Sequence, residues 1–259
     1  VMSSFSLASI LGLPLGLWLA NISSWNAPFI ALVVAGCLVW ALAFYALPAL
    51  RGHVEAARGR SYLQQLRDVL GHRQHLWALS LTAFTVIGQF SVIPYISVYM
   101  VSNAGYPEHL LPLVYLSGGA LTFFSSRYVG RWSDRLGKAA VFQRMLMLSL
   151  IPLLMVTHLP PVPVWVALVV SAFFMISISG RMVPMMALVT GVVPPRLRGS
   201  FMSVNTAVQH LSSGTAAYVA GLMISKGEGG EVLHYNQVGY LAVTSSLVAF
   251  FIVLRLHRK

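Results

Sequence analysis

The chain has 259 residues, 57% of them hydrophobic and only 9% charged, with a mean hydropathy of +0.76. A soluble domain carries about 25% charged residues, so the composition excludes a soluble fold as the default and points to an integral membrane protein. The net charge of +11 and pI of about 10.3 would suggest nucleic acid in a soluble protein, but here the basic residues are confined to a few connections between apolar runs.

A spanning helix needs about 20 mostly apolar residues. Eight such stretches are predicted, at residues 3–20, 27–49, 77–102, 109–127, 140–158, 163–190, 201–225 and 237–255. Strand periodicity is absent and the runs are too long for barrel strands, so the expected fold class is an all-α membrane protein with eight transmembrane helices. The first connection, Asn21 to Asn26, is turn-rich, and its Trp25, like Trp165 further on, suits an interfacial aromatic belt. The second, Arg51 to Gln74, is the longest. Its apolar residues at 62, 63, 66, 69 and 70 have helical spacing and predict an amphipathic surface helix.

The fourth connection packs its charges closely. Arg131, Asp134, Arg135 and Lys138 fall within eight positions, bracketed by Gly130 and Gly137. Both glycines are expected to permit a tight reversal with left-handed backbone angles. Asp134 can cap a helix start or pair with Arg131 or Arg135.

Fifteen of the 17 basic residues lie on alternate connections, at the span ends that flank them or at the C-terminus, and therefore on one side of the membrane. The other side holds Lys226 beside Glu108, Glu228 and Glu231, and Arg181 falls inside a span. By the positive-inside rule the basic side, with the C-terminus, is cytoplasmic.

Within the spans, Arg181 is the sharpest candidate. A central arginine is costly in lipid and faces a wet cavity, a partner or backbone carbonyls. None of the six acids, Glu55, Asp68, Glu108, Asp134, Glu228 and Glu231, lies in a span. Asn205 and Gln209 share a helix face, as donors to a solute or as inter-helix hydrogen bonds. His210 can relay protons, since histidine is the side chain that changes charge near physiological pH. Gln89 and Tyr95 belong to the third span, and Pro94 and Pro184 interrupt helices. The single cysteine, Cys37, excludes a disulfide framework. There is no phosphate-binding glycine loop, HExxH, CxxC or intramembrane acid pair, so the chain reads as a non-enzyme without metal or cofactor.

A faint repeat at an offset of 200 aligns Met2/Met202, Ser3/Ser203, Leu11/Leu211 and Ala20/Ala220, making the first and seventh spans equivalent helices six apart. The run from Gly130 to Lys138 resembles the cytoplasmic loop signature G-x-x-x-D-R-x-G-[RK] of the major facilitator superfamily. Ser91 to Tyr99, Gly180 to Pro184 and Val193 to Asn205 resemble its sugar-efflux and drug:proton antiporter branch.

The resemblance implies a twelve-helix fold. This chain, beginning at Val1 and not Met, would lack roughly the first four helices. Residues 1–50 would be the last two helices of the N-terminal bundle, 51–75 a cytoplasmic linker with the amphipathic helix, and 76–259 the C-terminal six-helix bundle. The gate loop Gly130, Arg131, Asp134, Arg135, Gly137 and Lys138 would hold the cytoplasmic side closed, with Asp134 braced on the first span near Ser3 and Ser4.

The implied activity is secondary active transport in the inner membrane, an efflux of a drug or sugar driven by proton entry. Its partners are a small-molecule substrate, protons, the lipid bilayer and the missing N-terminal helices, with no nucleic acid. A membrane-embedded receptor or sensor, or a uniporter or importer, is the alternative.

Overall fold

A long apolar run that leaves water must satisfy its own backbone, and the helix does so locally. The computed structural model describes residues 12–46 and 62–257, and most of them are helical. In chain order the helices are α1 (Leu13–Ile22), α2 (Ala27–Ala46), α3 (Tyr62–Leu70), α4 (Arg73–Phe90), α5 (Ile96–Ser102), α6 (Leu111–Leu136), α7 (Lys138–Thr157), α8 (Val164–Gly191), α9 (Arg198–Met223) and α10 (Tyr235–His257). Short 3-10 turns lie at Ile93–Tyr95, Glu108–Leu110 and Pro195–Leu197. Two strands, β1 (Ser225–Lys226) and β2 (Val232–Leu233), pair antiparallel with Ser225 opposite Leu233. At two residues each they are too short to show alternation in the sequence.

From α4 onward the helices form one bundle. α8 packs against α7 and α6 and also reaches α4, while α4 packs against α10 and α9, and α10 closes onto α7. The approach of α4 to α10 is close because residue 88 is glycine: a Cβ there would lie 2.8 Å from the Ser246 Oγ and 3.0 Å from the Ala242 carbonyl oxygen. α3 covers the predicted amphipathic stretch. Its Val69 is buried, and Gln65 accepts a 2.8 Å hydrogen bond from Ser200 on α9. α1 touches α2 and α6, but α2 buries none of its residues, and Phe29, Trp40 and Tyr45 stand exposed. Such a face requires lipid or further helices.

Most of the core lies in two apolar layers, beside a small third cluster of Val129, Val141 and Met145. One gathers Val92, Tyr99, Met100, Phe174, Ile178 and Tyr235, and the other Leu81, Phe142, Leu146, Met185, Phe201 and Val253. Between them, in sequence on each helix, fall the buried polar residues Thr85, Ser149, Arg181 and Ser246.

Five helical stretches among the described residues are long and apolar enough to cross a membrane: Ala27–Ala46, Arg73–Ser102, Lys138–Thr157, Val164–Gly191 and Tyr235–Leu256. α6 and α9, at 26 residues each, are long enough but more polar. At 1.5 Å per residue they reach about 39 Å, beyond a hydrocarbon core of about 30 Å. Of the first predicted span, residues 3–11 lie outside the described residues, and so do Ser3, Ser4, the linker residues 51–61, Arg258 and Lys259.

The charged connection differs from its expected form. α6 does not stop at Tyr128. It runs through Gly130, Arg131 and Asp134 to Leu136, and α7 begins at Lys138. The reversal is made at Gly137 alone, with φ 89° and ψ 138°. Gly130 is an ordinary helical residue, because a helix can carry charge past the membrane surface as readily as a loop can. Asp134 therefore sits on the last turn of α6 and caps no helix start, and the N-cap of α7 is Gly137.

The two glycines should separate in unfolding experiments. Gly137→Ala forces a side chain into a glycine-only region and is expected to cost about 1–3 kcal/mol. Gly130→Ala meets nothing within 4 Å and should stabilise by about 0.5–1 kcal/mol through the helix propensity of alanine. Denaturant titration of the purified protein in detergent reads both.

Candidate functional site

The polar layer is centred on Arg181. This side chain is 0% exposed and reaches three other helices. Its Nη1 donates to Ser149 Oγ on α7 and to Ser246 Oγ on α10, each at 3.3 Å, and its Nη2 donates to the Thr85 carbonyl on α4 at 3.3 Å. Every partner is neutral. The Nε of Arg181 and the hydroxyls of Thr85 and Ser177 are buried without a hydrogen-bond partner. In chain terms Ser177 is one helical turn before Arg181, and an arginine on a helix leans toward that preceding turn.

α4 continues the layer as a ladder. Thr82, Thr85 and Gln89 are spaced three and four apart, the period of one helix face. Thr82 donates at 2.7 Å to the Asn205 Oδ1 on α9, while the Asn205 Nδ2 is buried and unpartnered. Gln89 is half-buried and its Oε1 has no partner. Above Gln89 the helix breaks. Pro94 cannot donate to the helical ladder, the chain makes a 3-10 turn at Ile93–Tyr95, and helix resumes as α5. Two tyrosines hold the break: Tyr235 donates to the Val92 carbonyl at 2.8 Å, and Tyr95 donates to the Ala217 carbonyl on α9 at 2.9 Å. The Ser91 hydroxyl at the break is buried and unpartnered.

The sequence candidates thus fall into three groups. Arg181 and Asn205 are fully buried and joined to α4 through Thr85 and Thr82. Gln89, Tyr95 and Gln209 are half-buried, and Gln209 makes only a 3.8 Å contact from its Nε2 to the Met186 sulfur. His210 is exposed on α9. The charged group, Arg131, Asp134, Arg135 and Lys138, is exposed at the Gly137 end of the bundle. Its proposed contact near Ser3 and Ser4 lies outside the described residues.

Thr82, Thr85, Ser149 and Ser246 escaped sequence reasoning. Serine and threonine are common in spans, and only the 82, 85, 89 spacing on α4 carried any signal.

Among the described residues no group of histidine, cysteine, aspartate and glutamate is arranged to hold a metal ion.

A family model described as Major Facilitator Superfamily matches residues 1–217 and, in a second match, residues 128–258. The chain is 24% identical over 262 residues to YbcL of Bacillus subtilis (strain 168), described as an uncharacterized MFS-type transporter, and the match covers 100% of this chain and 64% of YbcL. It is 24% identical over 253 residues to AraJ of Escherichia coli (strain K12), whose description also includes the word transporter, covering 96% of this chain and 60% of AraJ. OpdE of Pseudomonas aeruginosa, described as a transcription regulatory protein, is 24% identical over 179 residues, covering 69% of this chain and 43% of OpdE. The chain therefore spans less than two thirds of the length of each of these relatives.

The polar layer has a measurable signature. Ser246→Ala leaves a buried arginine donor without one of its acceptors and is expected to destabilise by about 1–3 kcal/mol. In an Arg181→Met background the same change should cost under about 0.5 kcal/mol, because the donor is gone. A double-mutant cycle on unfolding midpoints checks the coupling.

Proposed function

The chain belongs to the Major Facilitator Superfamily, and from that premise we propose that it forms part of a secondary active transporter working by alternating access. The proposed reaction is efflux of a small organic solute, a drug or a sugar, driven by proton entry across the inner membrane. Membership in the family and the two relatives described as transporters support membrane transport itself. Because the relatives are longer, the full cycle is proposed for a protein of their length that contains this bundle.

The single observation that carries the mechanism is the interrupted helix α4–α5 beside the polar layer. Transporters of this general kind place substrate near the bilayer midplane, at helices that break where they line the site. Here the break lies at Ser91–Tyr95, and the unpartnered Gln89 Oε1 sits just below it. In the proposal Gln89, Tyr95 and Gln209 touch the solute as the bundles rock. Arg181 and Asn205 hold α4 in place from inside the bundle, and His210 is a candidate proton relay. Residues 76–259 act as one rigid six-helix bundle. Residues 1–50 belong to the opposing bundle, and 51–75 tether the two. Asp134 and its basic neighbours close the cytoplasmic side, with the C-terminus in the cytoplasm.

The description of OpdE as a transcription regulatory protein is the one observation that favours the second reading, a membrane-embedded sensor without transport.

Both readings are open to one experiment. Proteoliposomes carrying a full-length protein with this bundle are loaded with a pH-sensitive dye and offered sugars and lipophilic cations in turn. Solute-dependent proton movement, slowed about tenfold by Asp134→Asn through loss of one charge-assisted contact, is the expected result. Solute flux that ignores the proton gradient would point to a uniporter, and no flux of any solute would sink the transport reading.

A further inference from the structure

We propose that the Gly137 end of the bundle carries two binding sites for anionic phospholipid, one on each side of the first turns of α7. The first is a groove of about 200 Å³ between α7, α8 and α10, walled by Leu188, Gly191, Val192, Val253 and Leu256, with Lys138 as its one charged residue. The second is a groove of about 250 Å³ between α6 and α7, lined by Trp132, Leu136, Val141, Met145 and Leu148, with Arg144 as its one charged residue. The two grooves share no residue yet repeat one chemistry: apolar walls and a single cation. A phospholipid has the complementary form, a phosphate on an apolar chain.

Gly137, the N-cap residue of α7, has no side chain to offer the first-turn amides of that helix, which favour an anion.

Charge selects an anionic headgroup over a zwitterionic one. Arg131, Arg135, Lys138 and Arg144 are all exposed here, with Asp134 as the single acid in the stretch. No acid lines either groove. Two lipids so placed would grip the α6–α7 reversal from both flanks. The inference rests on the protein being in a membrane, and it is independent of which solute is carried or in which direction.

Native mass spectrometry of the detergent-solubilised protein, titrated with phosphatidylglycerol or phosphatidylcholine, reads the sites directly. The expected result is two retained phosphatidylglycerol molecules per chain and no comparable retention of phosphatidylcholine. Lys138→Gln should weaken one site and Arg144→Gln the other, each by about fivefold, whereas Lys138→Arg keeps its site. Both positions are exposed, so the unfolding midpoint of each variant should match the parent. The control pair Arg196→Gln and Arg198→Gln lies at the 3-10 turn and first residue of α9 and should leave retention unchanged. Equal retention of the two lipids, undiminished binding in the double variant, an equal loss in the control pair, or displacement by glycerol phosphate without acyl chains would each overturn the proposal.

Discussion

A full positive charge is buried between four helices with no carboxylate among the described residues to balance it, and the bundle is arranged around that fact. On insertion scales an arginine at the bilayer centre costs about 2.5–3.5 kcal/mol. Arg181 meets this cost with oxygens from α4, α7 and α10, so three other helices share the charge. All three bonds are 3.3 Å, longer than the 2.7–2.9 Å usual when a charge assists the bond. The two apolar layers lie to either side, so the polar contacts mark one level of the bundle and leave the packing above and below it continuous.

That level also divides the α4–α5 span. Below it, α4 is tied by Thr82 to Asn205 and by the Thr85 carbonyl to Arg181. Above it, the interrupted segment answers to other partners: Tyr235 on the Val92 carbonyl, Tyr95 on the Ala217 carbonyl, and Tyr99 on the Leu159 carbonyl. Asn103 completes the set by bonding both the amide and the carbonyl of Val232, which fastens the end of α5 to the β1–β2 ribbon. Broken helices persist in membranes only where neighbours re-satisfy the freed backbone, and here the Tyr235 hydroxyl takes up the Val92 carbonyl while Tyr95 and Tyr99 anchor the segment to its neighbours.

Much of this was legible beforehand, though unevenly. The Gly130 to Lys138 run announced itself by charge, and it does lie at one end of the bundle. Its shape did not follow, because a helix that emerges from the apolar zone keeps its hydrogen bonds, and so Gly130 stayed helical while Gly137 took the turn. Arg181 stood out in the sequence as a cation where none belongs. Its partners did not, since Thr85, Ser149 and Ser246 lie 96, 32 and 65 positions away. A lone hydroxyl in an apolar run has no pattern of its own. The break near Pro94 was visible from the missing donor of proline, whereas the tyrosines that support it were not.

By itself the sequence determined the class and the local grammar: apolar runs that must be helices because lipid offers no backbone partners, charges gathered into the connections, a cation and a proline placed inside spans. Those follow from transfer free energy and backbone geometry, which act residue by residue. Only the tertiary structure decided which helices share the Arg181 charge, that Asn205 faces Thr82, and that α7 begins between two apolar grooves each with one basic residue. Such facts depend on which faces of distant helices meet, and packing chooses those faces by shape and hydrogen-bond satisfaction across the whole bundle.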